Sequence, residues 1–201
     1  MDGGPVNDID YFVEGIFPRK AVAVLPGFVL LRGWRPLDVS KAIADTMWEQ
    51  PTLRVYGRVC LAPRLTAWFG DGAYTYSGKR QEPAPMPQWV DDARREIETM
   101  TGAKFNSVLL NYYRDGNDSV AWHADDEPEL GEEPMIASWS LGMPRMFSVK
   151  ARYTDVRWSA QLGCGDLLIM KGRSQADYLH SVPKTTKPIG PRVNLTFRWV
   201  K

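Results

Sequence analysis

Residues 192–199 read Arg192-Val193-Asn194-Leu195-Thr196-Phe197-Arg198-Trp199 and alternate strictly. Arg192, Asn194, Thr196 and Arg198 fall on one side, Val193, Leu195, Phe197 and Trp199 on the other. Successive side chains of a β-strand point to opposite faces, so this is a strand whose apolar face must be covered by a second layer. Working back from it, short apolar runs at 107–112, 135–141, 146–149 and 166–170 are separated by clusters of Gly, Pro and Asp, and a last run occupies 193–200. That spacing predicts short strands throughout the chain from Lys104 onward. Such strands bury one face against another sheet, which predicts a β-sandwich or jelly roll. Upstream, residues 36–49, after a turn at Gly33, and 87–100, stopping at Gly102, read as helices buttressing the sheets from outside. Residues 64–79 are rich in Gly, Tyr and Trp and read as hairpin or loop. The class is α+β, mainly β.

A chain of 201 residues holds one globular domain with a sizeable core. The expected division is helices and a nucleotide-recognition segment over 1–100 and the jelly-roll core over 101–201. A hydrophobic content of 44% and a charged content of 24% fit an ordinary folded protein. The net charge of +1 gives no bulk attraction for phosphates, so any nucleic-acid binding must rest on local patches. Two cysteines, Cys60 and Cys164, are too few for a disulfide framework and fit a reducing compartment. The first residues lack the basic start and apolar stretch of a secretory signal. The apolar run 21–31 is broken by Pro26 and Gly27 and falls short of the roughly 20 residues that cross a bilayer. The expectation is a cytoplasmic monomer without membrane contact, nucleoid-associated or, in a eukaryote, nuclear.

The chain has only two histidines. One lies in His123-Ala124-Asp125, where two residues two apart on a strand or its exit point the same way and can hold one ion side by side. His180 is the only other histidine available as a third ligand. Two imidazoles and a carboxylate on one face of a metal leave open positions, the arrangement suited to iron(II) and oxygen chemistry. Asp126 and Glu127 follow directly, so a zinc hydrolase or a calcium site has to be weighed too. The polar face of 192–199 admits two readings. It is an ordinary solvated strand face, or, because it follows closely on His180, its arginines bind an anion beside the metal. A dicarboxylate such as 2-oxoglutarate would suit paired guanidinium groups.

The chain resembles the AlkB family of iron(II)- and 2-oxoglutarate-dependent dealkylating dioxygenases. The similarity lies in Asn111-Tyr112-Tyr113-Arg114-Asp115-Gly116, His123-x-Asp125-Asp126-Glu127, Ile136-Ala137-Ser138-Trp139-Ser140-Leu141-Gly142, Tyr178-x-His180 and Pro191-Arg192-Val193-Asn194-Leu195-Thr196-Phe197-Arg198. The blocks occur in the family's order. The resemblance implies a double-stranded β-helix fold, with iron(II) on His123, Asp125 and His180, 2-oxoglutarate as cosubstrate and O2 as oxidant. It implies that Asn111 and Tyr113 join Arg192, Asn194 and Arg198 around 2-oxoglutarate, Arg192 at the distal carboxylate and Arg198 at the one near iron.

Pro63-Arg64 and Tyr74-Thr75-Tyr76-Ser77-Gly78 look most like the DNA-repair branch. The implied substrate contacts are Tyr56, Arg64, Tyr74, Tyr76, Ser77, Asp126 and Glu127. Tyr76 and His123 would flank the damaged base, and Glu127 would receive its exocyclic amine. Arg54-Val55-Tyr56-Gly57-Arg58 resembles a finger that fills the place of an extruded base, although Tyr56 is equally read as an ordinary strand residue. Trp122, just before the first candidate ligand, either shapes the pocket or fills core, and core is the favoured reading. Residues 150–161 depart from the family pattern, so no strand preference carries over from them. The implied function is oxidative demethylation of N1-methyladenine and N3-methylcytosine in DNA, with release of formaldehyde and succinate. The alternatives are the same chemistry on methylated RNA or a protein side chain, and an inactive nucleic-acid-binding relative.

Overall fold

The computed structural model describes residues 21–55, 57–71, 74–76, 79–81 and 84–201. Its strands in chain order are β1 (Ala21–Leu25), β2 (Phe28–Leu31), β3 (Thr52–Val55), β4 (Arg58–Leu61), β5 (Leu65–Gly70), β6 (Tyr74–Tyr76), β7 (Lys79–Gln81) and β8 (Ser107–Tyr113). They continue as β9 (Val120–His123), β10 (Ile136–Gly142), β11 (Arg145–Ala151), β12 (Arg157–Leu162), β13 (Leu167–Met170), β14 (Tyr178–Val182) and β15 (Arg192–Arg198). The helices are α1 (Val39–Ala44), α2 (Gln88–Thr101) and the single turn α3 (Ser174–Asp177).

A larger sheet runs β1-β2-β13-β10-β15-β8-β5 and a smaller one β12-β11-β14-β9, with antiparallel neighbours throughout. This is the jelly roll expected from the sequence. The larger sheet is covered on both faces. On the outside, Val193, Leu195 and Phe197 of β15 pack with Trp139 and Leu141 of β10 and with Val90, Ala93, Ile97 and Met100 of α2. Those α2 positions recur at helical spacing on one side of the helix, which explains why this segment is helical and where it docks. Gly102 ends the helix at φ 70°, and its N–H reaches the Glu98 carbonyl. Between the sheets lie Phe28, Leu30, Ile136, Phe147, Val149, Leu168, Met170 and Val182. Burying each such side chain stabilises the fold by about 1.5–3 kcal/mol.

Three expectations change. The helix expected over 36–49 shrinks to α1, capped by the Asp38 carboxylate on the Ser40 N–H. By Glu49 the backbone has instead exchanged hydrogen bonds with Thr66, which requires extended chain. Residues 64–79, read as hairpin or loop, do enter the β6–β7 hairpin, but they begin with β5, an edge strand of the larger sheet paired residue by residue with β8. The N-terminal half also supplies β1 and β2, so the larger sheet crosses the division drawn at residue 100.

Candidate metal and cosubstrate site

The two histidines meet because β14 and β9 are neighbours, with His180 directly opposite His123 in the register. Val120 is paired with Val182, so Ala121 and Trp122 together oppose the single residue Ser181. This is a β-bulge. It restores His123 to the inward face that Val120 also occupies, although the two are an odd number of residues apart. His123 Nδ1 lies 2.9 Å from the Ala121 carbonyl oxygen, which places the proton on Nδ1 and leaves Nε2 with its lone pair.

His123, Asp125 and His180 each offer a ligand atom, all within 4.8 Å of one another, and the imidazole centroids are 4.3 Å apart. Burial pushes His180 down to about 3, reinforced by the neighbouring His123, so its imidazole is neutral and able to bind a metal. Burial works against ionising the Asp125 carboxyl as well. The Arg198 guanidinium, donating from Nη2 at 2.8 Å, outweighs it and holds the group well below the usual carboxylate range. The Asp125 N–H donates to Gln175 Oε1 at 3.0 Å, and Gln175 is 1% exposed. Nothing in the pattern of residues pointed to Gln175, because only the fold brings α3 under residue 125.

The polar face of β15 is buried, not solvated. Arg192, Asn194, Thr196 and Arg198 point between the sheets, joined by Asn111 and Tyr113 of β8 and by Ser138 and Ser140 of β10. Asn194 Nδ2 donates to Ser138 Oγ and the Trp139 carbonyl, both at 2.9 Å. Arg192 is 1% exposed, lies 5.1 Å from the Tyr113 ring centroid, and donates from Nη2 to Ser140 Oγ at 2.9 Å. Among the described residues its buried Nε and Nη1 find no hydrogen-bond partner. A buried cation with unused donors requires an anion, since arginine stays protonated. A narrow cavity between the sheets is lined by Asn111, Tyr113, His123, Asp125, His180, Asn194 and Arg198. The donor set fits iron(II), and the buried guanidinium fits a dicarboxylate beside it. A zinc hydrolase would leave Arg192 unexplained.

Outside this cavity a larger groove, with about 1380 Å³ of empty space, runs along the open edge of β9 towards the β3–β4 hairpin. Arg64, Trp122, His123 and Glu127 line it. Glu127 Oε2 is buried and has no hydrogen-bond partner among the described residues. Arg64 is 3% exposed and donates from Nε to Asn111 Oδ1 at 2.7 Å, so it braces the wall between groove and cavity. Asp126 lines neither: its carboxylate is exposed and paired with Arg152 at 2.8 Å. Trp122 is on the surface, not in the core as expected, because the bulge turns it outward. Tyr56 and Ser77 lie outside the described residues, as do the side chains of Tyr74 and Tyr76. Arg145 was also missed. It is buried at 2% exposure and donates to the carbonyls of Asp115, Asp118 and Pro183, tying the loops that precede β9 and follow β14.

The model of the 2OG-Fe(II) oxygenase superfamily matches residues 22–198. Among curated proteins, human alpha-ketoglutarate-dependent dioxygenase alkB homolog 3 is 42% identical over 100% of this chain and 72% of its own length. The bovine alkB homolog 3 is 43% identical over 89% of this chain and 66% of its own length. The DNA oxidative demethylase ALKBH2 of Arabidopsis thaliana is 38% identical over 76% of this chain and 58% of that protein. The solved structure of OsALKBH1 shares the fold, with a TM-score of 0.62 at 18% identity over 89% of this chain and 99% of that one. With a triad that could hold a metal and a buried arginine already in place, the match over nearly the whole chain means that it belongs to the 2OG-Fe(II) oxygenase superfamily and, within it, to the AlkB family of dioxygenases using iron(II), 2-oxoglutarate and O2.

Proposed function

We propose that the protein oxidatively removes methyl groups from N1-methyladenine and N3-methylcytosine in DNA, coupled to decarboxylation of 2-oxoglutarate and releasing succinate and formaldehyde. The observation that carries the substrate reading is Glu127 Oε2, buried without a donor in a groove that His123 also lines. Leaving such an oxygen unsatisfied costs about 1–3 kcal/mol, so a ligand that donates to it is favoured. Methylation at these ring positions makes the base cationic while its exocyclic amine remains a donor, and a carboxylate answers both features. The names of the human and Arabidopsis relatives, a dioxygenase and a DNA oxidative demethylase, support the same reading.

In this account His123, Asp125 and His180 hold the metal. Arg192 would meet the distal carboxylate of 2-oxoglutarate with its unused donors. Asn111, Tyr113 and Asn194 line the cosubstrate, and Arg198, fixed against Asp125, lies at the carboxylate nearer the metal. The bound metal and cosubstrate supply the oxidising power that hydroxylates the N-methyl carbon. The chain's own residues orient the base between His123 and Tyr76, anchor its amine at Glu127 and keep bulk water from the cavity. The hydroxymethyl product then loses formaldehyde without an obligatory protein acid or base.

The test is anaerobic mixing with iron(II), 2-oxoglutarate and oligonucleotides bearing either lesion, followed by oxygen and mass spectrometry. Loss of a methyl mass from DNA is the expected result. Loss from RNA alone reassigns the substrate, and no loss from either rejects base demethylation. We further infer that the protein acts as a monomer in the compartment that holds the cell's DNA.

A further inference from the structure

Trp122 is 42% exposed although it directly precedes a metal ligand. Large aromatic side chains are rarely left so open, and exposed ones mark contact sites. The bulge that turns His123 inward presents this ring to the groove. The Lys150 ammonium lies over the ring at 4.6 Å from its centroid and helps to hold it in place. Lys184 lines the groove, adding a basic group to its wall in a chain whose net charge is only +1. An aromatic platform with basic groups around it is the chemistry that binds single-stranded nucleic acid: bases stack and phosphates are neutralised.

We propose that Trp122 stacks on the base adjacent to the one being oxidised, with Lys184 meeting the backbone. The inference rests on the nucleic-acid reading above. Neighbouring strand residues point to opposite sides, so Trp122 meets the substrate outside the cavity that His123 lines.

Fluorescence anisotropy measures this with a labelled single-stranded oligonucleotide carrying N1-methyladenine, and with the same strand bearing abasic sites on both sides of the lesion. Wild-type protein should bind the abasic-flanked strand roughly 5- to 100-fold more weakly, the effect of one stacked base. Trp122→Ala should lose the same factor on the ordinary strand and change little on the abasic-flanked one, which also reports an intact fold. Trp122→Phe should retain most of the affinity. Equal losses on both strands, or wild-type protein that ignores the abasic flanks while demethylating normally, overturns the stacking proposal alone. Wild-type protein that neither binds nor demethylates any of the strands overturns the nucleic-acid reading and the stacking proposal together.

Discussion

At the scale of single residues, the site combines groups satisfied within the fold and groups left waiting for a ligand. Arg192 and Glu127 are of the second kind, and this gives them opposite signatures in activity and stability. Arg192→Met should raise the KM for 2-oxoglutarate by 100-fold or more, on the order of the loss of a charge-assisted bidentate contact. Thermal stability of the ligand-free protein should hold or rise, because a buried cation with two unpaired donors is replaced by an apolar side chain. Glu127→Gln keeps the shape and removes the charge. It should lower kcat/KM for methylated bases by roughly 10- to 100-fold, the worth of a charged hydrogen bond, while 2-oxoglutarate binding stays unchanged. The metal triad was legible in the sequence because a chain with two histidines offers few alternatives. Gln175, Ser138 and Ser140 were not, since a common polar residue acquires its role only when the fold brings it against Asp125, Asn194 or Arg192.

At the scale of elements, alternation made β15 legible, but not the fate of its polar face. Alternation is the same whether that face meets water or a polar cavity, and only the second sheet decides. The strands β9 and β14 were illegible for a related reason. They are short, and the bulge at Ala121 and Trp122 breaks the period-two pattern at the point where the ligand is aimed. The bulge therefore absorbs one extra residue: deleting Ala121 leaves Val120 and His123 two apart and on one face, so iron(II) binding should survive in a protein whose circular dichroism remains that of a β-sandwich. Gln175→Ala removes the acceptor that fixes the Asp125 backbone and should weaken iron(II) binding by roughly 10- to 100-fold in an anaerobic titration. Helix α1 came out short because propensity extends over residues 36–49, whereas the backbone pairing of Glu49 with Thr66 is a tertiary contact that overrides it.

At the scale of the molecule, the site spans both sheets and is held by polar ties. Asp118 accepts from the backbone and side chain of Arg114 at 2.7–2.9 Å, and Arg145 ties that loop to Pro183. Burial opposes ionisation of Asp118, but its hydrogen bonds with Arg114 prevail and depress its carboxyl from the ordinary value. Its contribution to stability is thus present above the unfolded carboxyl range and is lost as pH falls through the depressed folded value. Asp118→Asn should cost about 1–3 kcal/mol at neutral pH and flatten the acid limb of the stability curve, as read by urea melts at several pH values. The residues that would hold iron(II) and 2-oxoglutarate come from both sheets, so ligand at about 100 times its Kd should raise Tm by roughly 5–10 °C. The central claim is that the triad and the buried arginine serve one coupled oxidation of a methylated base. The most direct measurement is the ratio of succinate to formaldehyde formed on a single-stranded oligonucleotide containing N1-methyladenine. One formaldehyde per succinate, with neither formed by His180→Ala, is expected, and succinate produced without formaldehyde at any oligonucleotide concentration would contradict the account.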